Sequence, residues 1–517
     1  MSDQLLKSTT TVSGMTFISR ILGFARDMII AQVFGASAGL DAFLVAFKIP
    51  NFMRRLFAEG AFSQAFVPVL SEYVATKSRA EVKALLDKVS GSLFSVLFVI
   101  TLMGCMGASG LIFIFAPGFK EDAVQFNQAV DMLRWTFPYL LFISLTAFLS
   151  GVQNTHNKFA LPAFTPVLLN VSLIFAAIFL TGWASQPVYA LAWGVLIGGI
   201  LQLGFQLPSV HKLDLMPKPK IAFSDPGVRR ILKLMVPALI GASAMQINLL
   251  VDTIFASYLP KGSLTWLYYS DRLLEFPIGM FGVAIATVVL PHLSKQYANK
   301  QEKSFSASLD WALKLMLCIG LPCTIGLILL AQPILSTLFQ YGKFSGQDVI
   351  LASHSLMALS TGLVAFLTVK VFISAFYARQ NTVFPLKVAL MAIVFNIIFN
   401  SLLIGPLQHA GLALASTLAQ FCQLTVLLYF LLKKNIYEPQ MLWRPYLLRL
   451  VLANVVMGYF LHLFLPQDAL WLEAAAVWRA SHLALFVVGA MIIYALVLWI
   501  VGIRVRHFKL QPLSESL

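Results

Sequence analysis

The sequence predicts an all-α polytopic membrane protein of about fourteen transmembrane helices: two six-helix repeats related by an axis along the membrane normal, followed by two C-terminal helices. Three observations carry this reading, namely long apolar runs, cations confined to alternate loops, and an internal duplication. Of 517 residues, 59% are hydrophobic and 11% charged, and the mean hydropathy is +0.82. Soluble domains carry about 45–50% apolar and about 25% charged residues, so a soluble enzyme, a disordered chain and a fibrous protein are excluded.

A membrane helix needs about 20 mainly apolar residues. Stretches of that kind run over 12–34, 40–71, 89–116, 130–153, 160–183, 187–208, 230–259, 263–294, 307–331, 348–377, 384–404, 408–432, 446–465 and 480–502. They are too long for strands and lack period-two alternation, so helices that satisfy their own backbone are expected. The first stretch contains Arg20, Arg26 and Asp27 and no small-residue cleavage site follows it, which marks a retained helix rather than a signal peptide. The four cysteines, Cys105, Cys318, Cys323 and Cys422, lie within apolar runs without metal spacing and read as packing residues.

The net charge of +15 is resolved by the loops. Lys7, Lys77 to Lys88, Lys158, Lys212 to Lys233, Lys295 to Lys303, Arg379, Lys387, Lys433 to Arg449 and Arg504 to Lys509 fall on one side, and only Lys120, Arg134, Lys261, Lys343 and Arg479 on the other. Positive loops stay in the cytoplasm, so both termini are expected there and the number of spans is even. The excess is an orientation signal, and no nucleic acid is implied.

A duplication with an offset near 223 residues underlies the spans. Pro68-Val69-Leu70-Ser71-Glu72-Tyr73 echoes Pro291-His292-Leu293-Ser294-Lys295-Gln296-Tyr297; Phe148, Ser150 and Asn157 match Phe372, Ser374 and Asn381; Gln202-Leu203 matches Gln423-Leu424. The expected organisation is an N-terminal six-helix lobe at 1–220, a C-terminal six-helix lobe at 226–434, two extra helices at 440–505 and a cytoplasmic tail at 506–517.

Charges at membrane depth carry the functional signal, because each costs at least about 2.5–3.5 kcal/mol on insertion scales. Spans 1 and 2 hold Arg20, Arg26, Asp27, Asp41, Lys48, Arg54, Arg55 and Glu59; spans 7 and 8 hold Asp252, Asp271, Arg272 and Glu275; the other spans hold almost none. These are the first two helices of each repeat, and they are expected to line a hydrated cavity between the halves. Arginines present planar donor forks suited to phosphate, and Gly23, one turn from Arg20, allows close approach to the backbone. The competing reading is a set of intramembrane ion pairs that stitch helices together. Pro50, Pro237 and Pro277 interrupt these helices and free carbonyls next to the charges, as at transporter hinges, although a static kink gives the same pattern. Asp252 is a candidate cation or proton site or the partner of an arginine.

No His-Glu-x-x-His, Walker or Gly-x-Ser-x-Gly pattern is present, so a transporter drawing on an ion gradient or the membrane potential is expected rather than an enzyme. A cation-coupled drug exporter is disfavoured by the cavity arginines. A non-transporting membrane scaffold for cell-wall synthesis remains open on the residues alone.

The strings Ser19-Arg20-Ile21-Leu22-Gly23-Phe24-Ala25-Arg26-Asp27, Asp41-Ala42-Phe43, Pro50-Asn51-Phe52-Met53-Arg54-Arg55-Leu56-Phe57-Ala58-Glu59-Gly60-Ala61-Phe62, Tyr269-Ser270-Asp271-Arg272-Leu273-Leu274-Glu275-Phe276-Pro277 and Phe339-Gln340-Tyr341-Gly342-Lys343-Phe344 resemble the MurJ (MviN) lipid II flippases. The resemblance implies alternating access in the bacterial inner membrane and movement of undecaprenyl-pyrophosphate-linked disaccharide-pentapeptide to the outer leaflet for peptidoglycan synthesis. It places substrate binding on Arg20, Arg26, Arg54 and Arg272, with Asp41 and Glu59 as important acidic positions; the residue pattern adds Asp27 on the face of Arg20 to substrate binding, and Asp271, Glu275, Pro50 and Pro277 to gating or pairing. The resemblance implies a polyprenyl groove at spans 13 and 14. No cofactor is implied beyond Na+ or H+ as coupling ion, with Asp252 and Asn381 at the corresponding positions. Lipid II, membrane lipids and cell-wall synthesis enzymes are the implied partners.

Overall fold

A computed structural model describes residues 2–439 and 443–504, with the side chains of 2–11, 57–60, 238, 240–246, 248–249 and 283–284 excluded. The side chain of Glu59 and the tail at 506–517 therefore lie outside the described residues. Among the described residues the secondary structure is helical, without a strand. Packing divides the chain into two compact units, Met1–Thr265 and Trp266–Leu517.

The first unit contains α1 (Ser2–Phe34), α2 (Ala38–Arg54), a π-helical turn at Arg55–Phe62, α3 (Ser63–Thr76), α4 (Arg79–Met106), α5 (Ala108–Phe115), α6 (Ala123–Thr136), α7 (Tyr139–Thr155), α8 (Ala160–Phe175), α9 (Tyr189–Lys212) and α10 (Pro226–Ala256). α11 (Ser263–Pro277) begins in it. Helices stand over the apolar runs, and local chemistry sets their ends. α4 starts ten residues before the expected span, because Ser78 and Glu81 form a reciprocal capping box that gives the polar 79–88 segment a helical start. It stops at Gly107 and restarts as α5.

Within this unit α8 packs on α1 and α9, α2 on α6, and α10 on α3. A Cβ on Gly194 would come within 2.7 Å of the Ala176 Cβ, so the bare α-carbon lets α9 close on the α8 end, where Ser172 Oγ donates to the Gly194 carbonyl at 2.6 Å. Buried amides add to this. Gln206 Nε2 donates to Ser150 Oγ and Thr165 Oγ1 at 2.8 and 2.9 Å, and Gln153 Nε2 donates to Gln206 Oε1 at 3.1 Å. Apolar surroundings supply little drive for helices to associate, so small residues and polar pairs do that work.

Pro50 lies inside α2, and the Ala46 carbonyl it leaves without its usual donor accepts from the buried Thr136 hydroxyl of α6 at 3.1 Å. The bend is thus braced, and the irregular π-helical turn that follows it lies at Arg55–Phe62. Pro277 closes α11 and is followed by a π-helical turn at Ile278–Gly282, so both copies of the repeat carry the same irregularity.

The second unit continues with α12 (Val283–Ala298), α13 (Glu302–Leu329), α14 (Ala331–Phe339), α15 (Gly346–Ser360), α16 (Leu363–Ala378), α17 (Val383–Lys433), α18 (Trp443–Phe464), α19 (Asp468–Glu473) and α20 (Ala476–Ile500). The duplication is visible element by element: α4 and α13 are each 28 residues long, and Asp122 and Ser345 cap α6 and α15. α17 joins expected spans 11 and 12 across a break at Gln408, where φ is 49° and ψ −129°. α15 and α16 meet at a 40° bend. Nine helices among the described residues are long and apolar enough to cross a membrane, or ten if that bent pair forms one span.

The sequence reading counts α10 with the second lobe. In the structure α10 packs on α3 and the first π-helical turn, and Arg230 pairs with Glu72 at 2.7 Å and Lys88 with Asp225 at 2.5 Å, which is why the first compact unit runs on to Thr265.

The two C-terminal helices are tied to α13. Pro322 deprives the Cys318 carbonyl of its helical donor, and Tyr494 of α20 supplies one at 2.7 Å. Tyr446 of α18 donates to the Lys314 carbonyl at 2.7 Å. Asp310 accepts from Tyr437 at 2.9 Å and from the Trp443 indole, and pairs with Lys314 at 2.6 Å. Replacing Tyr494 by Phe strands that carbonyl in an apolar site, and a loss of about 1–3 kcal/mol is expected. Thermal unfolding of the detergent-solubilised chain should show it as a lowered Tm, whereas Tyr459→Phe, at a side chain 65% exposed, should leave the Tm in place.

Candidate functional site

The charged residues of the first unit fall into distinct environments. Arg26 and Asp27 are 9% and 1% exposed. Although adjacent in sequence, they pair: Arg26 Nε and Nη2 both donate to Asp27 Oδ1, at 3.0 and 2.6 Å. Arg26 Nη1 donates to Asn170 Oδ1 of α8 at 3.1 Å, and Asn170 Nδ2 donates to the Ser19 carbonyl at 3.1 Å. The fork therefore ties α1 to α8. Arg20 on the same helix is exposed, with Gly23 buried one turn away, so its guanidinium is open to a ligand.

Along α2, Lys48 Nζ donates to Thr253 Oγ1 of α10 at 2.6 Å, next to the half-buried Asp252. Arg54 is partly buried and Arg55 exposed. Arg54 Nε donates to Asn51 Oδ1 at 2.9 Å, one turn back and beside Pro50.

Asp41, 2% exposed, is fully engaged. Its Oδ2 accepts from Gly262 N at 2.6 Å, and its Oδ1 from Thr265 N at 2.9 Å and Thr265 Oγ1 at 2.7 Å. Gly262 has φ 95°, a conformation glycine adopts without strain. The carboxylate meets amides at the start of α11 that have no donor-acceptor partner inside that helix. Contact between Asp41 and a substrate requires these bonds to open.

Nearby, Lys261 pairs with Asp122 at 2.6 Å, and Gly118 N donates to Ser257 Oγ at 3.0 Å. The Lys261 ammonium, then the Gln125 and Val124 amides, hold the Asp122 carboxyl below its ordinary value. A depressed carboxylate stabilises the fold above the usual range, about pH 4, and that contribution fades as pH falls through the folded value. The Tm difference between the wild type and Asp122→Asn should accordingly be present at pH 7 and vanish on acidification; a difference that persists at pH 3 contradicts an ionic tie.

In the second unit Arg272 Nη1 lies 3.4 Å from Glu275 Oε2, their side chains 31% and 64% exposed. Asp271 is exposed and Pro277 buried. Asn381 accepts from Phe384 N at 3.1 Å, so its amide oxygen shapes the turn into α17. A cluster that charge-based reading missed stands here: Trp266 Nε1 donates to Asp348 Oδ1 at 3.0 Å, its ring packs edge-on against His409 at 5.0 Å, and His409 Nδ1 is 2.7 Å from Ser355 Oγ. Asn170 was also missed, and its signal was plain: a lone amide inside an apolar span. Among the described residues no group of three His, Cys, Asp or Glu is arranged to hold a metal ion.

A duplicated bundle of apolar helices, with its charged side chains collected on the opening helices of each copy, defines a multi-pass membrane transporter. Its relatives narrow that class. The chain belongs to the MurJ lipid II flippase family: the family model described as "Lipid II flippase MurJ" matches residues 30–479. A MurJ relative from Haemophilus influenzae is 42% identical over 506 residues, covering 95% of this chain and 99% of its own. The lipid II flippase MurJ of Burkholderia cenocepacia is 40% identical over 510 residues, covering 98% and 99%. A solved structure of lipid II flippase MurJ in an inward closed conformation superposes with a TM-score of 0.79 at 28% identity, over 95% of this chain and 98% of that one. Apolar helices and family together make this a multi-pass protein of the bacterial inner membrane.

Proposed function

We propose that the protein flips lipid II, the undecaprenyl-pyrophosphate-linked peptidoglycan precursor, from the cytoplasmic to the outer leaflet, with both termini in the cytoplasm. The observation that carries this reading is likeness along nearly the whole chain to lipid II flippases. The pyrophosphate is assigned to arginine forks. Arg20 is exposed, and Arg54 and Arg272 each contact a polar side chain one turn away, Asn51 and Glu275. A diphosphate replaces such contacts with bidentate, charge-assisted bonds. Arg26 serves instead to hold α1 in place beneath Arg20.

Alternating access requires a bend, and the irregular backbone at 55–62 and 278–282 supplies a place for it in each copy. With no nucleotide-binding motif in the chain, the drive is the membrane potential or a Na+ or H+ gradient, with Asp252 and its Lys48–Thr253 neighbourhood as the candidate coupling site. The enzymes of cell-wall synthesis consume the product. Depletion of the protein should strand lipid II on the cytoplasmic face, read by an externally added enzyme or probe that labels only outer-leaflet lipid II. Unchanged outer-leaflet labelling on depletion rejects the flippase reading and favours the scaffold.

A further inference from the structure

The connection between α9 and α10 is neither helix nor strand from Leu215 to Ala222, yet its backbone is fixed. Lys218 N donates to Asp87 Oδ1 at 2.7 Å, Lys220 N to the Asp87 carbonyl at 2.8 Å, and Ala222 N to Ser92 Oγ at 3.1 Å. Asp87 is 8% exposed. A Cβ on Gly91 would lie 2.4 Å from the Lys220 backbone, so glycine is what lets this ledge seat against α4. The main chain is thereby spent on α4 and the side chains are turned out: Lys218 and Lys220 are exposed, Ile221 is 68% and Phe223 42% exposed.

Charge bookkeeping around the ledge is lopsided. The acids are committed: Asp214 to Arg79, Asp225 to Lys88, Glu72 to Arg230, and Asp87 to backbone amides. Lys218, Lys220, Arg229 and Lys233 are exposed, and among the described residues no ion pair joins them to a carboxylate. The ledge also sits at a defined level. Its anchors, Asp87 and Ser92, bracket the point where the apolar stretch of α4 begins, and α10 turns apolar at Ile231 and Leu232. Exposed aliphatic and aromatic side chains beside uncompensated lysines, at the boundary between polar and apolar surface, match the physical requirements of a bilayer interface.

We propose that 218–223 is an interfacial anchor for anionic phospholipids, with Lys218 and Lys220 on headgroup phosphates and Ile221 and Phe223 entering the acyl boundary. The occupant is the host bilayer rather than a soluble partner, because apolar and cationic groups alternate on a ledge level with the start of the membrane-spanning stretches. The proposal stands independently of which lipid the protein transports.

The test uses the full chain with its four cysteines replaced and Ile221→Cys carrying a nitroxide, in nanodiscs of phosphatidylcholine alone or with one-third phosphatidylglycerol. In the anionic discs the label should be reached by oxygen and shielded from a water-soluble nickel chelate. In neutral discs, and in anionic discs after Lys218→Gln with Lys220→Gln, the shielding should be lost, by about fivefold per lysine removed. Lys300→Gln, on the other unit, should leave it unchanged. These glutamines leave the main-chain clamp to Asp87 in place, so loss of fold is not the expected cause of any change. A label equally water-exposed in both lipids, or shielding indifferent to the two lysines, overturns the proposal.

Discussion

Arg20→Ala is expected to abolish growth rescue in a depletion strain while the folded protein stays at its normal level in the membrane, and Arg26→Ala is expected to lose both. The difference follows from burial. Arg20 is exposed, so its removal deletes a phosphate-binding fork and leaves nothing stranded. Arg26 holds Asp27, whose side chain is 1% exposed. Truncating one member of a buried pair leaves an uncompensated charge and costs about 3–5 kcal/mol. Removing both charges is far milder, so Arg26→Met with Asp27→Asn should recover most of that stability. Comparing protein level, Tm and rescue for the three variants separates the roles. If Arg26→Ala folds as well as Arg20→Ala, the weld to Asn170 carries little, and if Arg20→Ala supports full growth, the pyrophosphate assignment fails.

Asp41→Ala should be the second severe variant. Three donors converge on that carboxylate, two of them backbone amides that no other group can follow. Hydrogen bonds to an ionised group contribute about 1.5–3 kcal/mol each, net of exchange with water. A net loss of about 3 kcal/mol is a reasonable expectation for a group buried this deeply. Asp41→Asn should fare little better, since an amide presents a donor to one of those N–H groups. Thr265→Val removes only the hydroxyl bond and should cost about 1 kcal/mol. Thermal unfolding orders the three variants, and equal Tm values for Asp41→Ala and Thr265→Val contradict the clamp.

The long apolar runs were legible because their signal is local: about 20 residues decide each one, and helices stand where the hydropathy put them. The duplication was legible because short strings recur at one spacing, and both copies carry a proline followed by a π-helical turn in the second helix. What the sequence hid is long-range. Nothing local to Ala46 says that Thr136 takes its carbonyl, or local to Cys318 that Tyr494 does. Adjacent residues on a helix do not normally face each other, and the Arg26–Asp27 pair comes with a bond from the guanidinium to Asn170, 144 residues away, that no local signal gives. A repeat boundary is written in sequence similarity, whereas a packing boundary is written in contacts such as Arg230–Glu72, so the two need not coincide.

The junction between α13 and the last two helices bears on how such a chain can be shortened or lengthened. The Cys318 carbonyl, the Asp310 carboxylate and the Ser336 and Gln340 oxygens that hold Arg479 are all completed by side chains beyond residue 440. A chain cut back before residue 440 would leave the Cys318 carbonyl without the Tyr494 donor on an apolar surface, while Asp310 would lose its indole donor and keep Tyr437 and Lys314. The C-terminal pair is therefore not a detachable module, and evolution or engineering that removes it has to rewrite Pro322 in the same step.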